Sequence, residues 1–209
     1  KLKEEIEFAK KAAQTKLSQR LGWMTRIHPI MVTEKRMMLG LYSDVFNCSL
    51  AAFTEDWGEH WFFSNPILDM EIKNISNIQP SFVKMKDGTI TAFMRDNGIP
   101  KRVRTAFSKD LGMTWSEVSM LDIPNPGSSV ECIALKDGNW ALVCNDTMDG
   151  RHRLSVYLSN DEGKTWQWKK AIEETEPNKG SYSYPSVIQS RDGLIHCSYS
   201  CKDETTNGS

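Results

Sequence analysis

The sequence predicts an all-β protein built from repeated four-stranded antiparallel sheets, and three observations predict it. First, an eight-residue pattern, S-x-D-x-G-x-T-W, occurs as SKDLGMTW (Ser108 to Trp115) and SNDEGKTW (Ser159 to Trp166), with a third copy, TEDWGEHW (Thr54 to Trp61), that has His60 in place of the Thr. Second, from Thr54 to Ser108 is 54 residues and from Ser108 to Ser159 is 51, a period that suits a β-propeller blade of four short strands. Third, another pattern keeps step with the first. QPSFVKMKDGTITAFMRD (Gln79 to Asp96), SVECIALKDGNWALVCND (Ser129 to Asp146) and YPSVIQSRDGLIHCSYSC (Tyr184 to Cys201) each join two apolar runs through Asp-Gly, and HPIMVTEKRMMLGLYSD (His28 to Asp44) follows the plan without it.

The elements follow in order. Residues 1–21 place Leu2, Ile6, Ala9, Ala13, Leu17 and Leu21 near one face at helical spacing, which predicts an N-terminal helix that either packs on the sheets or belongs to a preceding segment. Residues 22–209 then divide into blades at about 22–75, 76–124, 125–178 and an incomplete 179–209. Each blade reads as strand, tight turn, strand, loop, strand, eight-residue motif, strand. Asp87-Gly88, Asp137-Gly138 and Asp192-Gly193 mark the tight turns, where Gly accepts a positive φ. In the eight-residue motif the hydroxyl and the Asp bond the backbone of a turn while the Trp fills the gap between hairpins. Asp56, Asp110 and Asp161 are therefore structural by expectation. A ring must close to hide its edge strands, so four blades imply a piece of a longer protein or a ring completed by association.

Composition narrows the function. The 209 residues are 39% hydrophobic and 25% charged, as in a globular protein. With 26 Lys and Arg against 27 Asp and Glu, the chain lacks the basic surplus that holds a phosphate backbone, so no nucleic-acid partner is expected. No apolar run reaches the length that spans a bilayer, and no membrane insertion is expected. Five cysteines (Cys48, Cys132, Cys144, Cys197, Cys201) without C-x-x-C spacing read as free thiols. There is no Gly-rich phosphate loop, H-E-x-x-H or EF-hand loop, so no cofactor or metal is expected, although calcium is neither required nor excluded.

Topology sorts the loops between two ends. If the tight turns and eight-residue motifs share one end of the sheets, the other end collects the segments entering each first strand and following each second strand. Arg26, Gln79, Ser128, Tyr182 and Tyr184 enter first strands, with Glu131 just inside its own; Asp44, Arg95, Asp96, Asn145, Asp146, Arg151 and His152 follow second strands. Guanidinium groups bind carboxylate in a bidentate way and carboxyl groups serve as acid and base, so the set suits an acidic glycan or oligosaccharide. Tyr182 and Tyr184 lie on one extended segment, one expected to pack and the other to face the pocket.

The eight-residue motif matches the Asp box, and the chain from LGWMTRIHP (Leu21 to Pro29) through NPGSSVE (Asn125 to Glu131) to YSYPSVIQSRDG (Tyr182 to Gly193) resembles the bacterial sialidase-like, or neuraminidase-like, proteins with BNR repeats. The resemblance implies a propeller of six or seven blades, a periplasmic or secreted protein, and a glycoside hydrolase acting on the terminal residue of an acidic glycan. It further implies Tyr182 or Tyr184 as nucleophile, Glu131 as its partner and Asp44 or Asp96 as acid and base. On the same resemblance Arg26, Arg95 and Arg151 bind carboxylate, with Gln79, Asn145, Asp146 and His152 completing the pocket. The chain departs from the family pattern at Asn145 and Asp146, where an arginine is expected, and at His28, which intervenes before Pro29. Two other functions fit the propeller: a polysaccharide lyase or uronate-linked rhamnosidase, for which His152 is a candidate, and a noncatalytic glycan- or protein-binding module.

Overall fold

The computed structural model describes residues 2–16, 22–68 and 76–203. Four antiparallel sheets follow one another along the chain. In the first, β1 (Met24–Thr25) and β2 (Ile30–Met31) pair with β3 (Met37–Ser43), which pairs through its whole length with β4 (Cys48–Thr54), and β5 (Phe62–Phe63) closes the order. The second runs β6 (Asn77–Lys84), β7 (Ile90–Asp96), β8 (Arg102–Ser108), β9 (Ser119–Pro124). The third runs β10 (Glu131–Ala134), β11 (Trp140–Asn145), β12 (Arg153–Ser159), β13 (Trp168–Glu174), and the fourth pairs β14 (Gly180–Gln189) with β15 (Ile195–Asp203).

The apolar residues bury the sheet faces that meet a neighbouring sheet, while β13 and β15 stay largely exposed. Every residue of β4 (CSLAAFT) and of β11 (WALVCN) is buried; β11 lies in the sheet between the second and the fourth and so has no solvated face to carry an alternating pattern. The cores are correspondingly three layers. Val32, Met38, Phe53, Phe82 and Met94 fill the space between the first and second sheets. Phe93, Val103, Cys132, Trp140 and Leu142 fill the next, and Val143, Leu154, Tyr182 and Val187 the last. All five cysteines are free thiols, with Cys48, Cys132 and Cys144 buried.

Of the helix expected over residues 1–21, the described residues show the first part. The helix α1 spans Leu2–Ala13 only, Phe8 on it is 69% exposed, and none of its described residues enters the three cores. Leu17 and Leu21 lie outside the described residues. No helix among the described residues is long and apolar enough to cross a membrane.

The repeated motif staples each sheet to the one before it. Ser108 Oγ donates to Asp110 Oδ1 at 2.8 Å and accepts from the Gly112 amide at 2.8 Å, while Asp110 Oδ1 accepts from the Thr114 amide at 2.9 Å. Ser159, Asp161, Gly163 and Thr165 repeat these bonds within about a tenth of an ångström. In the first copy His60 supplies the backbone bond at 3.0 Å, and its ring stands 2.7 Å from Asp56 Oδ2. The closed turn projects its Trp into the layer between sheets: Trp115 stacks on Phe82 of its own sheet with centroids 5.2 Å apart, and Trp166 meets Phe93 of the preceding sheet edge-on at 6.0 Å. No described sheet precedes the first copy, and there Trp57 is 81% and Trp61 40% exposed. The tight turns lie at this same end, where the Lys86 amide donates to Glu162 Oε1 at 2.6 Å.

Two outcomes are expected. Gly112 has φ +89°, and a Cβ there would meet Met38 Sδ at 2.7 Å and Phe53 at 3.1 Å. Gly112→Ala should therefore lower unfolding stability by about 1–3 kcal/mol, read from urea denaturation; an unchanged midpoint would mean the motif does not hold the first two sheets together. The second outcome concerns acid. The Thr165 hydroxyl and amide hold the Asp161 carboxyl down to about 2. A depressed folded value adds stability above the unfolded aspartate value of about 3.9, lost as pH falls through the folded one. Tryptophan fluorescence should show acid unfolding between about pH 4 and pH 2, with a shallower pH dependence over that window in Asp161→Asn.

Candidate active site

At the end opposite the motifs, each of the four sheets sends one long side chain to a common point. Arg26, in the link between β1 and β2, donates through Nη2 to the Pro185 carbonyl at 2.7 Å, and its guanidinium carbon lies 5.4 Å from the centre of the Tyr184 ring. Arg151, in the link between β11 and β12, lies 5.2 Å from the same ring centre and donates to the Gly127 carbonyl at 3.2 Å. Arg95, next to last in β7, acts with Arg151 to stabilise the ionised Tyr184 oxygen. Burial alone would raise the ionisation of the Tyr184 phenol, but the bonds and charges of Arg151 and Arg95 outweigh it and leave the phenol below the ordinary tyrosine value.

The backbone that presents Tyr184 is strained. Tyr184 has φ +56° immediately before Pro185, where side-chain-bearing residues are held to extended conformations, and the register of β14 against β15 shifts between Ser183 and Ser186. Residues two apart in a regular strand share a face, so without this bulge both tyrosines would point one way. With it, Tyr182 is 3% exposed and packs edge-on to Tyr199, while Tyr184 is 39% exposed among the arginines. Gln79 repeats the device in the second sheet: φ +57°, followed by Pro80, at a register shift between Ile78 and Ser81. Left-handed non-glycine residues of this kind concentrate at functional sites.

Glu131 opens β10 and is 1% exposed. Its Oε2 accepts from the Val187 amide at 2.7 Å, and its Oε1 stands 2.7 Å from His28 Nδ1. Burial lowers the Arg26 ionisation and the nearby charges of Glu131 and Tyr184 pull it back up. Arg26 Nη1, Arg95 Nε and Gln79 Oε1 are buried without a hydrogen-bond partner among the described residues. Buried polar atoms are normally satisfied, so these are the atoms at which a ligand's acceptors and donors would recover the most. A cavity of about 510 Å³ is lined by His28, Ile30, Phe82, Glu131 and Val187, and reaches the cluster through His28 and Glu131 only, since Tyr184 and the three arginines do not line it. Among the described residues no group of three His, Cys, Asp or Glu side chains is placed to hold a metal.

Several expected site residues are elsewhere. Asp96 is fully buried against Arg104 Nε at 3.0 Å and accepts from the Gly98 amide at 2.7 Å, so it is a structural ion pair. Asp146 is likewise held by Arg153 and Lys169, each at 2.5 Å. Asn145 donates to the Arg153 and Tyr182 carbonyls, both at 2.8 Å, and clamps the third sheet to the fourth. Tyr182 belongs to the core between those sheets. His152 contributes its carbonyl, which accepts from the Thr175 amide at 2.9 Å. Asp44 is exposed in the turn between β3 and β4. Ser128 is wholly buried. Glu131 makes no hydrogen bond to Tyr184: both of its oxygens are taken by other groups. His28 enters the cluster without having been singled out as a site residue, its only signal being its place two residues after Arg26.

Residues 9–197 match the BNR repeat-like domain family. The chain belongs to that family. This sialidase-like BNR-repeat protein is similar to a sialidase of Bacteroides fragilis (strain YCH46), 26% identical over 145 residues covering 65% of the chain and 25% of the relative. It is also similar to a sialidase of Paraclostridium sordellii, 32% identical over 92 residues covering 42% of the chain and 22% of the relative. The BNR-repeat chain thus spans about a quarter of the length of these curated relatives. Its fold matches a leech intramolecular trans-sialidase complexed with 2,7-anhydro-Neu5Ac, with a TM-score of 0.69 at 21% identity over 84% of this chain and 28% of the other. It also matches an α-L-arabinofuranosidase of Fusarium graminearum, with a TM-score of 0.62 at 14% identity over 87% and 58%. These two likenesses concern the fold alone.

A spectrophotometric titration of the tyrosines checks the electrostatics. Tyr184→Phe should remove an ionisation lying below the ordinary tyrosine range, and Arg151→Met should move that ionisation to higher pH. A profile identical in wild type and Tyr184→Phe would show that the arginines do not act on this phenol.

Proposed function

We propose that the chain carries the acid-sugar site of a sialidase-type exo-glycosidase, on a propeller that is completed by further blades to six or seven. The observation that carries this reading is the set of three arginines from three sheets around a phenol from the fourth, with buried guanidinium N–H groups left without acceptors. A sugar carboxylate supplies acceptors for Arg26, Arg95 and Arg151 in the planar geometry that guanidinium groups favour. The Tyr184 oxygen then forms a bond to the anomeric carbon as the glycosidic bond breaks, and water cleaves the glycosyl-tyrosine. A phenol polarised by two arginines suits an anionic sugar, because a carboxylate nucleophile would be repelled by the carboxylate already on the anomeric carbon. Gln79 faces the same pocket in this reading, blades fall at about 22–75, 76–124, 125–178 and 179–209, and the protein works in the periplasm or outside the cell on sialylated glycans.

The test is turnover of a fluorogenic N-acetylneuraminic acid glycoside by the chain as it stands. Turnover is expected, with Tyr184→Phe lowering kcat by about a hundredfold or more and Arg26→Met acting mainly on KM. Absence of turnover together with no heat of binding for N-acetylneuraminic acid would sink the reading and leave a noncatalytic module.

A further inference from the structure

We propose that His28 is the proton-transfer group of this site and that Glu131 is its positioning residue; the inference deepens the glycosidase reading above and rests on it. Glu131 is buried at 1% exposure, and the Val187 amide pins Oε2 at 2.7 Å, so Oε1 has a fixed direction. His28 Nδ1 lies 2.7 Å along that direction. A carboxylate only accepts, so Nδ1 carries the proton and the neutral ring keeps its lone pair on Nε2. The His28 side chain is 48% exposed, and Nε2 bonds to no described residue. Both His28 and Glu131 line the 510 Å³ cavity. A buried carboxylate holding one nitrogen of an exposed imidazole fixes its tautomer and ring orientation, the arrangement that lets histidine act as acid and base.

The other buried candidates for this task are committed elsewhere. Asp96 and Asp146 are buried in ion pairs with Arg104, Arg153 and Lys169. Glu131 has both oxygens engaged, and Asp44 sits in an exposed turn. His28 is also tied to the Tyr184 segment from two sides: Arg26, two residues earlier, bonds the Pro185 carbonyl, and Glu131 bonds the Val187 amide. The charged groups around the imidazole are Glu131, Arg26, Lys84 of β6 and Lys136 beyond β10, whereas β14 presents Val187, Ile188 and Gln189. Lys84 and Lys136 hold the carbonyls of Val32 and Ser190.

In the first step the imidazolium gives its Nε2 proton to the leaving oxygen as the glycosidic bond breaks and the Tyr184 phenolate, its charge held by Arg151 and Arg95, forms an aryl glycoside with the anomeric carbon. In the second, Nε2 takes a proton from the water that attacks the anomeric carbon, and the phenolate leaves. Two readouts on the full chain test the assignment. Nitrogen-15 NMR of the histidine side chains, which needs no substrate, should show neutral His28 protonated on Nδ1, with Glu131→Gln removing the preference; a proton on Nε2 overturns the proposal whether or not the glycoside is turned over. With the fluorogenic sialoside, His28→Asn should lower kcat about a hundredfold or more with little change in KM and abolish the limb by which activity falls as pH rises. His28→Ala should regain activity with added imidazole, a rescue a packing role would not give. Unchanged kcat and pH profile in His28→Asn overturn the proposal, while loss of all turnover in wild type overturns the glycosidase reading and leaves the NMR result to decide the dyad.

Discussion

The Glu131 carboxylate is the interaction on which the arrangement of the site depends. It belongs to the third sheet, bonds the Val187 amide of the fourth, and pairs with His28 of the first. A buried carboxylate without partners is strongly unfavourable, so its demand for donors draws three sheets to one point. Arg26 and Tyr184 are attached to the same junction, since Arg26 bonds the residue that follows Tyr184. Removing this charge would free the innermost strands from each other at the site end, while the apolar cores between the sheets would persist.

The two ends of the sheets divide labour. One end is closed by local hydrogen-bond turns whose Trp and Gly pack into the layers between sheets, and the hydrogen-bond geometry recurs from copy to copy. The other end carries left-handed residues before prolines at bulges, buried arginine nitrogens without acceptors, and a buried carboxylate. Such features are individually unfavourable, and they persist because the stapled cores hold the strands around them. Ligand groups that satisfy the arginines would recover part of that cost, which is the thermodynamic sense in which the site is preorganised.

Much of the architecture was legible because its chemistry is local. Asp-Gly turns and the Ser-Asp-Gly-Thr-Trp pattern make bonds to residues two to five positions away, so the sequence displays both partners. The site was legible only in part. Arg26, Arg95, Arg151, Tyr184 and Glu131 were placed by their position at strand starts and ends. Asp96 and Asp146 followed the same rule and yet are structural, because the partners that consume them, Arg104, Arg153 and Lys169, come from other strands. Choosing between Tyr182 and Tyr184 required the bulge between Ser183 and Ser186, which reverses the facing that strand periodicity gives. His28 was visible as a departure within TRIHP, but its role depends on a carboxylate 103 positions away.

The most direct measurement is a crystal structure of the chain with N-acetylneuraminic acid. The expected result is the sugar carboxylate against Arg26, Arg95 and Arg151, with the anomeric carbon beside the Tyr184 oxygen. A sugar bound at the motif end, or seated with its carboxylate away from all three guanidinium groups, would contradict the claim that these four sheets converge on an acid-sugar site.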